Sequence, residues 1–269
     1  TPNDKKKVVT YMIENHNISQ RTACLMLKLP RSSFRYRPQE KQDDLFIEKL
    51  NELVEKRPSI GFWQCYHRIR RTGIKVNHKK LYRIYTQMKL NIRRRAKKRL
   101  PARVKQQLFQ PSKINQVWSI DFMSDSLWDG RRIRLLNIID DYNREVLKIE
   151  TDTSLPTQRV IRSLTSLAIT RGLPEMIRVD NGPEFISNKM DMWCKENGVK
   201  LIFIQPGKPT QNAYIERFNG TFRRDVLNAY VFKSINEVKK VTQEWIFDYN
   251  NNRPHKSLKN KTPMEYKLI

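Results

Sequence analysis

Over roughly the first ninety residues apolar positions recur at helical spacing, and beyond about residue 115 they gather into the short runs of a sheet. KKKVVTYMIENH puts Val8, Val9, Met12 and Ile13 on one helical face. Ser19 suits the N-cap of QRTACLMLKL, whose apolar face is Ala23, Leu25, Met26, Leu27 and Leu29, and Pro30 stops it. RSSFRYR begins a short third element. A helix-turn-helix DNA-binding module over residues 1–38 is expected, with Arg31, Arg35 and Arg37 placed to meet phosphate; a plain helical bundle is the competing reading. A second helical DNA-binding module is expected over 39–92. DDLFIEKLNELVEK turns Leu45, Phe46, Leu50, Leu53 and Val54 to one side, and SIGFWQCYHRIRRTG follows. Asn77 then caps HKKLYRIYTQMKL, with Leu81, Ile84, Tyr85 and Met88 inward and Lys79, Lys80 and Arg83 outward. A basic helix after a tight turn is the form of a recognition helix, and also of any solvated basic helix.

In RRRAKKRLPARVK, residues 93–105, eight of thirteen positions are Lys or Arg: Arg93, Arg94, Arg95, Lys97, Lys98, Arg99, Arg103 and Lys105. Charges this dense repel one another, so 93–114 reads as an extended basic linker. Laid along a duplex it would neutralise several phosphates and bind with steep salt dependence.

From residue 115 the periodicity is that of strands. QVWSIDFM, RRIRLLNIIDDY and REVLKIE predict three consecutive strands, the first two joined by an Asp-Gly hairpin in WDGRR. A helix from about Pro156 to Gly172, the strand MIRVD, the helix SNKMDMWCKENG and the strand VKLIFIQ come next. Two long helices follow, roughly 211–229 and 234–250. This order predicts an α/β RNase H-like core over 115–269, a mixed five-stranded sheet with helices on both faces, preceded by the all-α modules.

Charge shows what such a chain works on. The formal net charge is +26, and residues 1–115 hold 29 Lys and Arg against 8 Asp and Glu. A field this large and uneven marks a polyanionic partner, with nucleic acid the obvious one. No apolar run reaches the roughly 20 residues of a membrane span, and TPNDKKKVV has no apolar core of a signal peptide behind its lysines. Cys24, Cys65 and Cys194 are odd in number and far apart, which suits core packing in a reducing cytoplasm. His16, His67, His78 and His255 do not stand at zinc-finger spacing from them.

Within this cationic chain three acids are singled out by context. Asp121 closes VWSID, Asp180 ends MIRVD before the turn pair Asn181-Gly182, and Glu216 opens a helix in QNAYIERFNG. Two strand-end carboxylates and one helix carboxylate can converge on divalent metal ions. Mg²⁺ prefers oxygen ligands, and a pair of ions about 3.5–4 Å apart can serve the attacking and leaving oxygens of a phosphodiester. Taken singly, Asp180 could be a turn residue and Glu216 a helix-surface acid; together, on these element types, they read as a catalytic, metal-holding triad.

The strings WSIDF, IRVDNGPEF, IQPGKPTQNAYIERFNGTFR and YNNNRPHKSLKNKTPMEY resemble the integrase core of bacterial DDE transposases. The likeness is strongest to the second-frame product of insertion-sequence family 3, which is similar to retroviral integrases. It covers 115–269 closely and the helical front half more loosely. The resemblance implies Asp121, Asp180 and Glu216 as catalytic residues and metal ligands, with Mg²⁺ as cofactor, Mn²⁺ as substitute, two ions per site and Asp121 bridging them. It implies that Arg223, seven positions after Glu216, holds a DNA phosphate, against an ordinary solvated arginine. Lys208, in a Gly207-Lys208-Pro209 loop, and Asn212 and Asn219, on the Glu216 face, are further candidate DNA contacts. Glu184 is a possible supporting acid, and the Arg253, His255 and Lys256 group is as well explained by structure as by DNA.

The chain lacks the His-His-Cys-Cys zinc module of retroviral integrases and shows no leucine-zipper heptads. The expected function is a transposase that cuts insertion-element ends and joins the 3′-OH to another phosphodiester. The alternative is a catalytically silent, transposase-derived DNA-binding regulator. Expected partners are element-end DNA, target DNA, further copies of the chain in a dimer or larger assembly, and an upstream-frame protein. The expected location is the bacterial cytoplasm, at the nucleoid.

Overall fold

The computed structural model describes residues 1–37, 43–92, 110–205 and 212–268. The segment expected to be a basic linker lies almost wholly outside the described residues, as does the Gly207-Lys208-Pro209 loop. The chain divides into two compact units, Thr1–Leu45 and Phe46–Ile269.

The first unit holds α1 (Pro2–His16), α2 (Gln20–Met26) and α3 (Arg31–Arg35). Ser19 caps α2 as its sequence predicts, its side chain accepting from the Thr22 N–H. The helix stops at Met26, earlier than Pro30 demands, because Lys28 enters the left-handed region at φ 48°. The core differs from the one expected. Val9, Ala23, Cys24 and Leu29 form the core, while Leu25 and Met26, expected inward, are 78% and 61% exposed. Arg31 and Arg35 are exposed, and Arg35 reaches Gln20 at 3.3 Å.

Helix α4 (Asp44–Lys56) begins at the division and runs into the second unit, followed there by α5 (Phe62–Arg71) and α6 (His78–Gln87). Phe46, Leu50, Cys65, Ile69, Leu81, Ile84 and Tyr85 close a small core of their own. Leu45, expected on that face, is exposed instead. Asn77 caps α6, accepting from the Lys79 N–H. Lys79 is exposed, Lys80 sits over the Phe46 ring at 4.7 Å, and Arg83 donates to Gln87.

The sheet comprises β1 (Val117–Ser126), β2 (Arg132–Asp140), β3 (Val146–Asp152), β4 (Met176–Val179) and β5 (Lys200–Phe203). Its order is β3-β2-β1-β4-β5, with β1, β2 and β3 antiparallel and β4 and β5 parallel to β1. The Asp-Gly turn between β1 and β2 forms as predicted, with Gly130 at φ 83°. Side chains alternate across the sheet. Trp118, Ile120, Leu136 and Ile138 pack against α7 (Thr157–Arg171) and α8 (Asn188–Glu196). Met123, Ile133, Leu135 and Ile139 pack on the other face against α9 (Ala213–Phe222) and α10 (Ile235–Asn251), and α11 (Pro263–Lys267) closes the chain. This is the mixed, double-faced sheet of the RNase H-like fold. The helix expected over 211–229 is shorter: after Phe222 the chain widens into a π turn, Arg223–Leu227, with Asn228 N–H reaching the Arg223 carbonyl.

Helices α4 to α6 are fastened to the sheet layer by buried ion pairs. Arg68, on α5, grips both oxygens of Asp248, on α10, at 2.9 and 2.7 Å, and Arg57 joins the same carboxylate. Ser59 and Arg253 meet at Asp225 in the π turn, at 2.8 and 2.7 Å. Burial alone would raise the Asp248 pKa, but the Arg68 hydrogen bonds and the two guanidinium charges outweigh it, and the net shift is downward.

Candidate active site

Asp121 is not at a strand end. It is the fifth residue of the ten in β1, because FMSDS continues to pair with β2 beyond it. The two aspartates meet through sheet register instead. β1 and β4 pair with Ser119 opposite Arg178. Two residues beyond this last pair are Asp121, still inside β1, and Asp180, just past the end of β4. β4 ends at Val179, so Asp180 stands at its open end, where Gly182 N–H donates to its Oδ1 at 3.1 Å. Gly182 has a steric reason to be glycine. A Cβ there would lie 3.0 Å from Asp180 Oδ1 and 3.3 Å from Glu184 Oε2.

Asp121 faces α9, which carries Glu216 in its first turn. The helix touches the strand through Asn219, whose Nδ2 donates to Asp121 Oδ2 at 2.7 Å. Asn137, directly opposite Asp121 on β2, in turn donates to Asn219 Oδ1 at 2.7 Å. Three residues on three elements thus form one chain of hydrogen bonds. The Phe122 N–H holds the other oxygen of Asp121 at 2.9 Å.

Burial pushes the Asp121 carboxyl up to about 6, and the charges of Asp180 and Glu216 push the same way against the hydrogen bonds from Phe122 and Asn219. Burial also raises the Glu216 pKa. Among the described residues no three acidic, histidine or cysteine side chains are gathered tightly enough to hold one ion between them. The two facts are compatible, since charge acts over a longer range than the 2.0–2.1 Å of a Mg²⁺–oxygen bond. None of Asp121, Asp180 and Glu216 forms an ion pair with a described residue, although most acids of this sheet do. Oxygen donors that repel one another and have no described cation paired with them suit a hard divalent cation.

The remaining sequence candidates fall at different distances from this centre. Arg223 ends α9, donates to the Ser124 carbonyl at 2.8 Å, and stands 3.6 Å from Asp125, so it lies along β1 beyond Asp121 with 40% of its side chain exposed. Asn212, expected to share the Glu216 face, is buried, and its side chain does not cap α9. Asn219 spends its amide on Asp121. Glu184 is tied to Arg134 at 2.5 Å, and Arg134 covers the Phe122 ring at 4.3 Å. Lys208 and the arginines and lysines of 93–99 lie outside the described residues. Sequence reasoning missed Asn137, although it is the one polar residue inside LLNII, and missed the steric role of Gly182. Asp140 and Asp141 are structural: Arg171 and Arg178 neutralise them at 3.1 and 2.6 Å.

A five-stranded mixed sheet with Asp121 inside its central strand, Asp180 just past the neighbouring strand and Glu216 on the helix bonded to Asp121 is the arrangement of the integrase-core class. Models of the integrase core domain match residues 111–209 and 197–263. A 31.7 kDa uncharacterised protein of insertion element IS407 from Burkholderia multivorans is 40% identical over 254 residues, covering 94% of this chain and 92% of the relative. InsK of insertion sequence element IS150 from Escherichia coli K12, assigned as a transposase, is 25% identical, covering 89% of this chain and 90% of the relative. The fold is also that of a solved simian T-cell lymphotropic virus intasome in complex with PP2A regulatory subunit B56 gamma. That likeness has a TM-score of 0.54 at 16% identity, over 83% of this chain and 74% of the other. The chain belongs to the insertion-sequence transposases of the DDE integrase-core type, enzymes that process DNA. The family implies dependence on a divalent metal. Among the described residues no helix is long and apolar enough to cross a membrane.

Proposed function

We propose that the chain cleaves the ends of its insertion element and joins the resulting 3′-OH to another DNA phosphodiester. The observation that carries this reading is Asp121 inside β1 and Asp180 just past the end of the neighbouring β4, with Glu216 on the helix whose Asn219 is bonded to Asp121. Asp121, Asp180 and Glu216 would hold two Mg²⁺ ions, with Mn²⁺ as a substitute. When bound, such ions lower the pKa of an attacking water or hydroxyl and neutralise charge on the leaving oxygen. The protein keeps the acids apart and aimed. Asn219 and the Phe122 N–H fix the two oxygens of Asp121 and favour its ionised form, while Gly182 leaves room for Asp180. Water cleaves first, leaving a 3′-OH; that hydroxyl then displaces a second 3′-oxygen, and no bond to the protein forms at either step.

Residues 1–38 and 39–92 serve as DNA-binding modules, with Arg31, Arg35, Lys79, Lys80 and Arg83 toward phosphate, and 93–114 as a basic linker. Cuts at two ends require at least two copies of the chain, acting at the bacterial nucleoid, with an upstream-frame protein as a further partner.

The test uses labelled element-end DNA with Mg²⁺ or Mn²⁺, beside an Asp180→Asn variant. Joined products from the parent alone are expected. Binding without cleavage by either protein would identify a silent regulator, and cleavage without joining a plain nuclease.

A further inference from the structure

Beside α9, away from the hydrogen bond to Asp121, lies a cavity of about 290 Å³. Arg144, Arg217, Tyr214, His255 and Ser257 are in its wall, together with Ala213 at the first turn of α9. Among the described residues no carboxylate lines it.

Arg144 is the unusual member. Three guanidinium groups, those of Arg253, Arg144 and Arg68, act on His255. Arg68 is neutralised by Asp248 and Arg253 by Asp225. Arg144 is only 9% exposed, yet among the described residues it has no ion pair, and its buried Nη1 has no hydrogen-bond partner. Its charge is felt by Asp141, but that carboxylate is spent on Arg178 at 2.6 Å. What Arg144 does have is the face of Tyr214, 3.4 Å from its centre. The backbone holds it there at some expense, since Arg144 is a non-glycine residue in the left-handed region at φ 63°. A buried cation without an anion is one of the costlier things a fold can contain.

Further polar groups lie at the same space. His255 Nε2 is buried and has no partner. Burial and the surrounding arginines depress the His255 pKa to about 3, so the ring is neutral there. Ser257 offers a hydroxyl, and the first turn of α9 has no side-chain cap from Asn212. Two guanidinium groups, one of them buried and unpaired, and a hydroxyl around one cavity make a site for a tetrahedral oxyanion.

We propose that this cavity binds a phosphate group of the nucleic-acid backbone, held by Arg144 and Arg217 beside the helix that carries Glu216. The proposal rests on the reading of the chain as an enzyme that cuts and joins DNA, and adds an anchoring point that the acid centre does not include. A phosphate held there would fix one end of α9 to the strand being processed.

The experiment is done on the full chain carrying Asp180→Asn, so that binding is read without any cleavage and stays readable even if strand transfer fails. The side-chain nitrogen resonances of His255 are followed while inorganic phosphate is added, and then element-end duplex DNA. Both are expected to move His255, and the duplex is expected to displace the phosphate. Arg217→Gln, at an exposed position, is expected to weaken phosphate binding several-fold. It should also lower the slope of log K against log salt for DNA by about one. Arg144→Gln should do both more strongly; if it does not fold, Arg217→Gln and Ser257→Ala carry the comparison. Movement of His255 by phosphate but not by DNA would overturn the backbone assignment, leaving a small-anion site. Movement by neither, or an unchanged salt slope in Arg217→Gln, would overturn the proposal entirely.

Discussion

The Asn219 amide donates to Asp121 at 2.7 Å, and so joins the helix that bears Glu216 to the middle of the central strand. A hydrogen bond to a charged group contributes about 1.5–3 kcal/mol. Removing it in Asn219→Ala should raise the Asp121 pKa above its present value near 6. Cleavage should fall about 10- to 100-fold near neutral pH, by about 1.4 kcal/mol per decade, and recover in part as pH rises. A pH–rate profile checks this: an equal loss at every pH would mean that Asn219 does not act through the ionisation of Asp121.

Asp121 should also burden the fold. Its ordinary pKa of 3.8 is raised to about 6, so the folded protein binds that proton more tightly than the unfolded chain. The sign follows: unfolding free energy decreases as pH climbs from about 4 to about 6, and the penalty is complete above that. Two pKa units correspond to about 3 kcal/mol at most. Asp121→Asn should therefore abolish cleavage while raising the melting temperature at pH 7.5, with little change at pH 4. A variant that melts lower at pH 7.5 would contradict the assignment.

A divalent cation should relieve the same penalty. Binding to the folded state alone stabilises by RT ln(1 + [L]/Kd), about 2.7 kcal/mol at a hundredfold excess over Kd. Melting curves in Mg²⁺ or Mn²⁺ should shift upward for the parent and much less for Asp121→Asn or Asp180→Asn. Equal shifts in all three would place the ion elsewhere.

Gly182→Ala separates geometry from stability. The new Cβ would meet Asp180 Oδ1 at 3.0 Å and Phe185 Cδ2 at 3.5 Å. The nearest atom is the end of a side chain, so the fold should accommodate it and melt within a few degrees of the parent. A small displacement of a reacting group can reduce rates about 100-fold, and cleavage should drop by one to two decades. Full activity would show that Asp180 has slack.

Breaking the pair between Arg68 and Asp248 should be costly. Asp248→Ala would leave Arg68 and Arg57 buried without their shared carboxylate, and losing one partner of a buried pair costs about 3–5 kcal/mol. Denaturant unfolding measures it. Because the Asp248 pKa is held below its ordinary 3.8, the parent keeps this contribution above about pH 4 and loses it as the solution is acidified further.

The sheet was legible from the chain because its signals are local. VWSID and MIRVD alternate, Gly130 and Gly172 mark the ends of elements, and Ser187 and Ser234 cap α8 and α10. What local patterns could not supply was register. Asp121 looked like a strand end because VWSID is the apolar part of β1, but the strand is defined by its pairing with β2, which continues to Ser126. The inward face of α2 was misjudged for a similar reason: Ala23 and Cys24 are the residues that share a core with Val9, and the left-handed Lys28 after the helix folds Leu29 back onto Cys24. The role of Asn137 needs both the β1–β2 pairing and the packing of α9, two long-range facts that no short window contains.

The shared register of β1 and β4 makes the acid pair vulnerable to one kind of genetic change above others. Side chains alternate with a period of two, so a single codon gained or lost within MIRV would turn Asp180 to the opposite face from Asp121. A point substitution on the same strand would leave that alignment alone. The one-residue slip would also carry the buried Ile177 and Val179 off the core face, so an in-frame insertion or deletion costs the fold as well as the site, whereas a missense change at either acid silences the element with its product still folded.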